Sequence, residues 1–273
     1  MTTSLPWLVP LVAGVFLLLM VLLERRRPLR PTLESRARRI ARNLATGGLA
    51  TAISLPLQLV LLAPLVVALE THELGLMRLV SLPEGLSTLI AIALLDATLW
   101  HWHWLNHRVP LLWRFHLVHH SDRDMDASTG LRFHLGELAL SILYRAAQLT
   151  LIGPSALAVA IWSAVLTVSV LFHHGNLRLP FRYERWLVHF VVTPRFHDLH
   201  HSIDPRNRDA NYSSILSIWD RVWGTSRRIQ AEAHTTIGVP GYLAPEDAVF
   251  KRLMVLPFEA PRAESPDGSP PPR

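Results

Sequence analysis

Between residues 5 and 23 the chain reads LPWLVPLVAGVFLLLMVLL, without a charge. At about 1.5 Å per residue a helix of that length crosses a hydrocarbon layer. A cleaved signal peptide carries its positive charges before the apolar stretch; here eight arginines follow it, between Arg25 and Arg42. The run is therefore expected to be an uncleaved anchor with its N-terminus outside and the arginine-rich loop in the cytoplasm, where basic residues also suit anionic headgroups.

The remaining spans follow from the same reasoning. Residues 43–69 form a second uncharged stretch, in which Pro56 and Pro64 are tolerable as kinks of a membrane helix. Residues 70–85 hold few basic residues and belong outside, and a helix over about 86–105 brings the chain back in. Residues 137–172 are apolar again and are broken by Gly153-Pro154, which reads as two helices or a hairpin turning near the far side. The count is four or five spans. The SDRD stretch at residues 121–124 fits a chain leaving the bilayer, and APRAESPDGSPPPR at the end has the composition of a disordered tail.

Composition agrees, with 50% hydrophobic and only 18% charged residues, a balance shifted from soluble averages toward integral membrane proteins. The net charge of +6 would admit nucleic acid as a partner, but the basic residues flank an apolar run and are not interleaved with aromatics on a polar face, so no nucleic-acid role is expected. Arginine dominates, with Lys251 the single lysine, which points to a bacterial source and an inner membrane. The expected fold is all-α: a polytopic membrane helix bundle with a cytoplasmic histidine-rich helical cap. Residues 1–85 carry the N-terminal membrane helices, 86–258 the catalytic domain and 259–273 the tail.

The chain has no cysteine and fifteen histidines, so disulfides and thiolate metal sites are excluded. The histidines cluster at ends of spans that the topology places on one side. HWHWLNH puts His103 and His107 four residues apart on one helix face, with His101 pointing elsewhere. HLVHH sets His116 against His119 and His120, which lie to either side of it and can reach toward two metals. HDLHH repeats the spacing with His197, His200 and His201, and FHHGN adds His173 and His174. A lone histidine is most simply a satisfied core or interface residue, but HxxxH with HxxHH twice over points to metal. Neutral imidazole suits iron, zinc, copper or nickel, and eight or more such ligands exceed the four to six positions of one ion, so two metals are expected.

In order and spacing HWLNHRVPLLWRFHLVHHS, TGLRFHLGE, FHHGN, TPRFHDLHHS, NYS and WDRVWGT, spread over residues 96–225, the chain resembles the fatty acid hydroxylase and sterol desaturase superfamily of membrane histidine-box di-iron oxygenases. The resemblance implies metal ligation by His103, His107, His116, His119, His120, His197, His200 and His201, with His174 as a further ligand. His134 and His173 are each a ligand or a residue beside one. The pattern departs at Trp104, where the family commonly has Arg, and at Ser213, where it commonly has Gly; both changes leave the ligands in place and put local turn geometry in doubt. Asp198, Asn211 and Asp220 are candidates to accept imidazole N–H bonds and fix ring orientation, with WDRVWGT, which holds Asp220, reading equally as a packing and turn motif. Asp96, an acid inside a span, is expected to be functional or to pair with Arg145 of a neighbouring helix.

The resemblance further implies two iron ions, dioxygen as co-substrate and a lipid substrate that enters laterally from the membrane, with hydroxylation or desaturation of an unactivated C–H bond. The chain shows no flavin, haem or iron–sulfur motif, so a separate electron-transfer protein or reductase is expected. Two competing readings are a metal-ion transporter, which would need polar ligands along a path at mid-membrane, and a membrane haem protein, for which two axial histidines suffice and the adjacent pairs go unexplained. Sterol, fatty acyl chain, sphingolipid-like base, carotenoid and alkyl ether all remain open as substrates.

Overall fold

A computed structural model describes residues 5–231 and 235–262; most of the expected tail, 263–273, lies outside the described residues. The long apolar runs all become helices: α1 (Leu5–Arg26), α2 (Arg36–Thr71), α3 (Glu84–Arg108), α5 (Leu135–Ile152) and α6 (Ala156–His173). Shorter ones follow the bundle or interrupt it: α4 (Pro110–His120), α7 (Phe181–Leu187), α8 (Pro194–His200), α9 (Pro205–Arg208), α10 (Ile218–Val222) and α11 (Phe250–Val255). Among the described residues no strand forms, and pairing is limited to isolated bridges such as Val191 with Leu216. Four helices among the described residues, α2, α3, α5 and α6, are long and apolar enough to cross a membrane. The chain is an all-α integral membrane protein.

Each boundary has a local cause. Pro110 and Pro194 open α4 and α8, where the missing N–H costs nothing. The expected break at Gly153-Pro154 is a hairpin: Gly153 adopts φ +65° to close α5, and the Ser155 hydroxyl accepts from Ala158 N at 3.2 Å to start α6. A Cβ on Gly153 would fall 2.1 Å from Leu74 O, so the α2–α3 connector rests directly on the α5–α6 turn. These two turns are the end of the bundle opposite the histidines. α2 runs unbroken through Pro56 and Pro64.

The bundle core joins Leu62, Val66 and Leu69 of α2 to Leu95 of α3, Ile142 and Leu149 of α5 and Trp162 of α6. The outer faces carry exposed leucines and valines, including Leu18, Leu59, Val60, Leu89, Leu143 and Leu151, as expected where the surroundings are lipid rather than water.

The polar end differs from the expectation in one respect. The arginine-rich loop and SDRD are partly interior. Arg39, fully buried, pairs with Asp124 at 3.0 Å and with Asp126; Arg30 pairs with Asp198 and reaches Met125 O. Asp122 accepts from Asn43 at 3.0 Å and Thr129 at 2.7 Å, while Arg132 donates to Val118 O, Ser121 and Asn43. Burial opposes the charge on Asp122, yet Arg132, Arg39 and these hydrogen bonds hold its carboxyl below the usual range. Buried charges persist only when paired and hydrogen-bonded. This network locks the start of α2 and the segment after α4 into one cap.

Candidate metal centre

Four helices bring their C-terminal ends to one place: α3 ends just after His107, α4 at His120, α6 at His173 and α8 at His200. Unpaired carbonyls make such ends partially negative and favourable to cations. There nine histidines gather into two groups, His103, His107, His116, His120 and His200 in one, and His119, His174, His197 and His201 in the other; within each group the ligand atoms lie within 4.8 Å of one another.

The two HxxHH motifs cross. From α4, His116 and His120, one helical turn apart, enter the first group while His119 enters the second. From α8, His197 and His201 enter the second while His200 enters the first. The groups abut, with the rings of His120 and His201 stacked at 4.2 Å between centroids. All nine residues named from the sequence as ligands fall in these groups.

Ring orientation is set from behind. Nδ1–H donates to Tyr212 O from His103 at 2.7 Å, to Ala210 O from His200 at 2.7 Å and to Val170 O from His174 at 2.8 Å, and His116 Nδ1 donates to Glu137 Oε1 at 2.9 Å. These bonds fix the tautomer that leaves Nε2 bare and directed inward. In the first group Nε2 of His103, His107, His116, His120 and His200 are buried without a partner. In the second, His174 Nε2 lies 3.0 Å from His119 Nε2 and 3.1 Å from His197 Nε2, and His201 Nε2 lies 3.1 Å from His197 Nε2. Hydrogen bonds satisfy such nitrogens in pairs, whereas a cation satisfies a whole group at once. With metal–nitrogen bonds of roughly 2.1 Å, ligands at right angles sit about 3 Å apart, so the residues fit a metal ion in each group.

Burial, and then the neighbouring imidazoles, keep His119, His120, His197, His200 and His201 far below the ordinary histidine pKa; burial takes His174 down to about 4. The rings are neutral at neutral pH, as metal ligation requires.

Other candidates lie elsewhere. His134 is outside both groups: its Nδ1 accepts from Gly136 N at 3.0 Å, capping α5, and its Nε2 faces Met254 O at 3.3 Å. His173 packs beside His197, 4.2 Å between centroids, without joining either group. His101 turns to Ala97 O and Trp223. Asp198, Asn211 and Asp220 do not hydrogen-bond an imidazole as expected. Asp198 is taken by Arg30. Asp220 accepts from Tyr212 N, Ser213 N and Trp100 Nε1. Asn211, at φ +57°, donates to Phe196 O. Asp220 and Asn211 act indirectly, since they shape the turn whose Ala210 and Tyr212 carbonyls receive His200 and His103. Asp96 is not paired with Arg145; it accepts from Leu216 N at 3.0 Å and Trp219 Nε1 at 2.7 Å.

Glu137 was not singled out from the sequence. The signal available was its place at the end of TGLRFHLGE, where it reads simply as an acid in the first turn of a helix.

Beside the histidines a cavity of about 190 Å³ opens between α3, α5 and α6. Its walls include Leu99, Leu138, Leu166 and Val170, and His103, His116, His119, His174 and His197 close one end. A model of the family described as fatty acid hydroxylase matches residues 88–225, a stretch that contains both groups. The chain belongs to the fatty acid hydroxylase family. It is 31% identical over 164 residues to ornithine lipid hydroxylase OlsE of Rhizobium tropici, covering 59% of this chain and 48% of that protein. Over 135 residues it is 30% identical to alkylglycerol monooxygenase of Homo sapiens, 46% of this chain and 27% of that one. With cholesterol 25-hydroxylase of Homo sapiens it shares 29% over 154 residues, 53% of each chain. The matched stretches thus span about half or less of these relatives' own lengths. No solved structure matches.

Proposed function

We propose that this protein is a membrane-bound di-iron oxygenase that hydroxylates a C–H bond of a lipid, using dioxygen and electrons from a separate donor protein. The observation that carries this reading is the pair of adjoining all-histidine groups at the closed end of an apolar cavity within the bundle. The relatives are named for hydroxylation or monooxygenation of an ornithine lipid, an alkylglycerol and cholesterol, which supports a lipid as substrate.

His103, His107, His116, His120 and His200 would hold one iron, and His119, His174, His197 and His201 the other. When bound, the irons supply the activation of dioxygen and the electron transfers needed to break an unactivated C–H bond. The chain does the rest. Tyr212 O, Ala210 O, Val170 O and Glu137 hold imidazole protons at Nδ1 and so keep Nε2 aimed inward. Leu99, Leu138, Leu166 and Val170 receive an alkyl segment and exclude water from the reacting carbon. We place the histidine end on the cytoplasmic side of a bacterial inner membrane, a reading supported by the arginines between α1 and α2 at that end.

The test is iron content and oxygen uptake of the purified protein, with lipid extracts compared by mass spectrometry with and without the gene. A lipid gaining one oxygen only when the gene is present supports hydroxylation; a loss of two hydrogens instead transfers the reading to desaturation. His119→Ala and His200→Ala should each stay in the membrane yet lose metal and activity together. Metal uptake without oxygen consumption, or a Soret band in place of non-haem iron, would overturn the proposal.

A further inference from the structure

Arg145 lies in α5, within a membrane-spanning segment, where a cation is costly and persists only with a partner or a function. Asp96, the acid expected to neutralise it, is bound instead to Leu216 N and Trp219 Nε1. The Arg145 guanidinium sits 4.9 Å above the ring of Trp162, and among the described residues it has no acidic partner. A stacked guanidinium keeps its N–H donors at the edge free. Trp162 is itself buried, and its indole N–H also lacks an acceptor. Trp162 is thus a fixed platform for the guanidinium, with its own N–H sealed within the bundle.

The guanidinium reaches the cavity, whereas Trp162 lies behind it and is not part of the wall. Arg145 and Ser141, one turn apart, line the cavity that His103, His116 and His119 close. Glu137, which holds His116, is eight residues before Arg145 on α5, about 12 Å at 1.5 Å per residue. Helical side chains lean toward the N-terminus, so the guanidinium inclines toward the histidines.

We infer that Arg145, held against the ring of Trp162, forms a subsite for an acidic oxygen group, carboxylate or phosphate, carried by the lipid. Bound there, the acid neutralises the half-buried cation and accepts from its N–H groups, and the lipid chain leads from it to the histidines. The carbon presented for oxidation is then one at a fixed, short distance from the acidic group, not the far end of a long chain. This inference rests on the lipid-oxidising reading for its purpose but not for its test, which measures binding.

The probes are 9,10-dibromostearate, a dibrominated lysophosphatidate and neutral dibromostearyl alcohol, whose bromines quench tryptophan fluorescence in the detergent-purified full chain. One or both acids should bind at least ten-fold tighter than the alcohol. Arg145→Met should abolish that preference while leaving alcohol binding intact, which also reports on folding; Arg145→Lys should retain part of it. If Arg145→Met does not fold, Arg145→Gln takes its place. Carboxylate preference identifies a free acid and phosphate preference a phospholipid-type group, and either supports the subsite. Equal affinity for acids and alcohol, or a preference that survives removal of the charge, overturns it. Acid preference in a protein that oxidises no lipid would sink the proposed function alone; hydroxylation without acid preference would sink the subsite alone.

Discussion

Glu137 stands behind His116, accepting its Nδ1–H at 2.9 Å, with Asn106 Nδ2 at 3.5 Å from the same oxygen. Such a carboxylate raises the basicity of the ring and removes its freedom to rotate, and loss of a partner of this kind typically lowers metal affinity about 10- to 100-fold. Glu137→Leu should weaken iron binding by that order, read by competition with a chelator, while Glu137→Gln, which keeps an acceptor oxygen, should lose less. Unchanged affinity in Glu137→Leu would show that His116 does not need its partner. The carbonyls of Ala210 and Tyr212 act in the same way from the backbone, and for this reason no side-chain pattern could announce them. The histidines were legible as residues because HxxHH fixes which rings share a helix face. Their orienting partners were not, because a main-chain acceptor has no residue identity and Glu137 is 21 positions from the ring it holds.

At the scale of elements, the cap is joined to the bundle where α2 passes the Ala127–Leu131 turn. A Cβ on Gly47 would meet Leu131 O at 1.9 Å, whereas nothing lies within 4 Å of one on Gly48. The two adjacent glycines therefore make a controlled pair. Gly47→Ala should destabilise by about 1–3 kcal/mol through overpacking against backbone. Gly48→Ala should be neutral or stabilising by up to about 1 kcal/mol, since alanine is the better helix former. Thermal unfolding in detergent checks both, and equal effects would contradict the close approach. The turn itself is held by Asp126, which accepts from Ser128 N at 2.9 Å while its own N–H reaches Thr129 Oγ1 at 3.0 Å. Helix lengths could be read from apolar runs because lipid admits few alternatives; the packing of Gly47 on a turn eighty residues later could not.

Over the whole molecule, hydropathy placed the spans but misread the charges, since a one-dimensional pattern records where an arginine lies and not which carboxylate it meets. Arg30 and Arg39 are interior; others remain on the surface of the cap. Behind α8, which carries His197 and His200, Arg227 and Arg228 line a cleft of about 570 Å³, whose wall also holds the buried Arg195, already paired with Glu184. Arg185, Arg221, Arg227 and Arg228 line a second cleft of about 520 Å³ whose wall includes Phe196, the neighbour of His197. An electron donor docked there would be one short helix from the histidines, and Arg185, Arg221, Arg227 and Arg228 would favour an acidic one, because complementary charge mainly accelerates encounter and fixes orientation. With an acidic [2Fe–2S] ferredoxin as probe, reduction of the iron-loaded protein should slow steeply as salt rises. The double variant Arg227→Glu, Arg228→Glu should cut the low-salt rate at least ten-fold and flatten its salt dependence, with iron content unaltered because neither side chain touches a ligand. A variant that keeps both the rate and the steep salt dependence would move the docking face elsewhere on the cap.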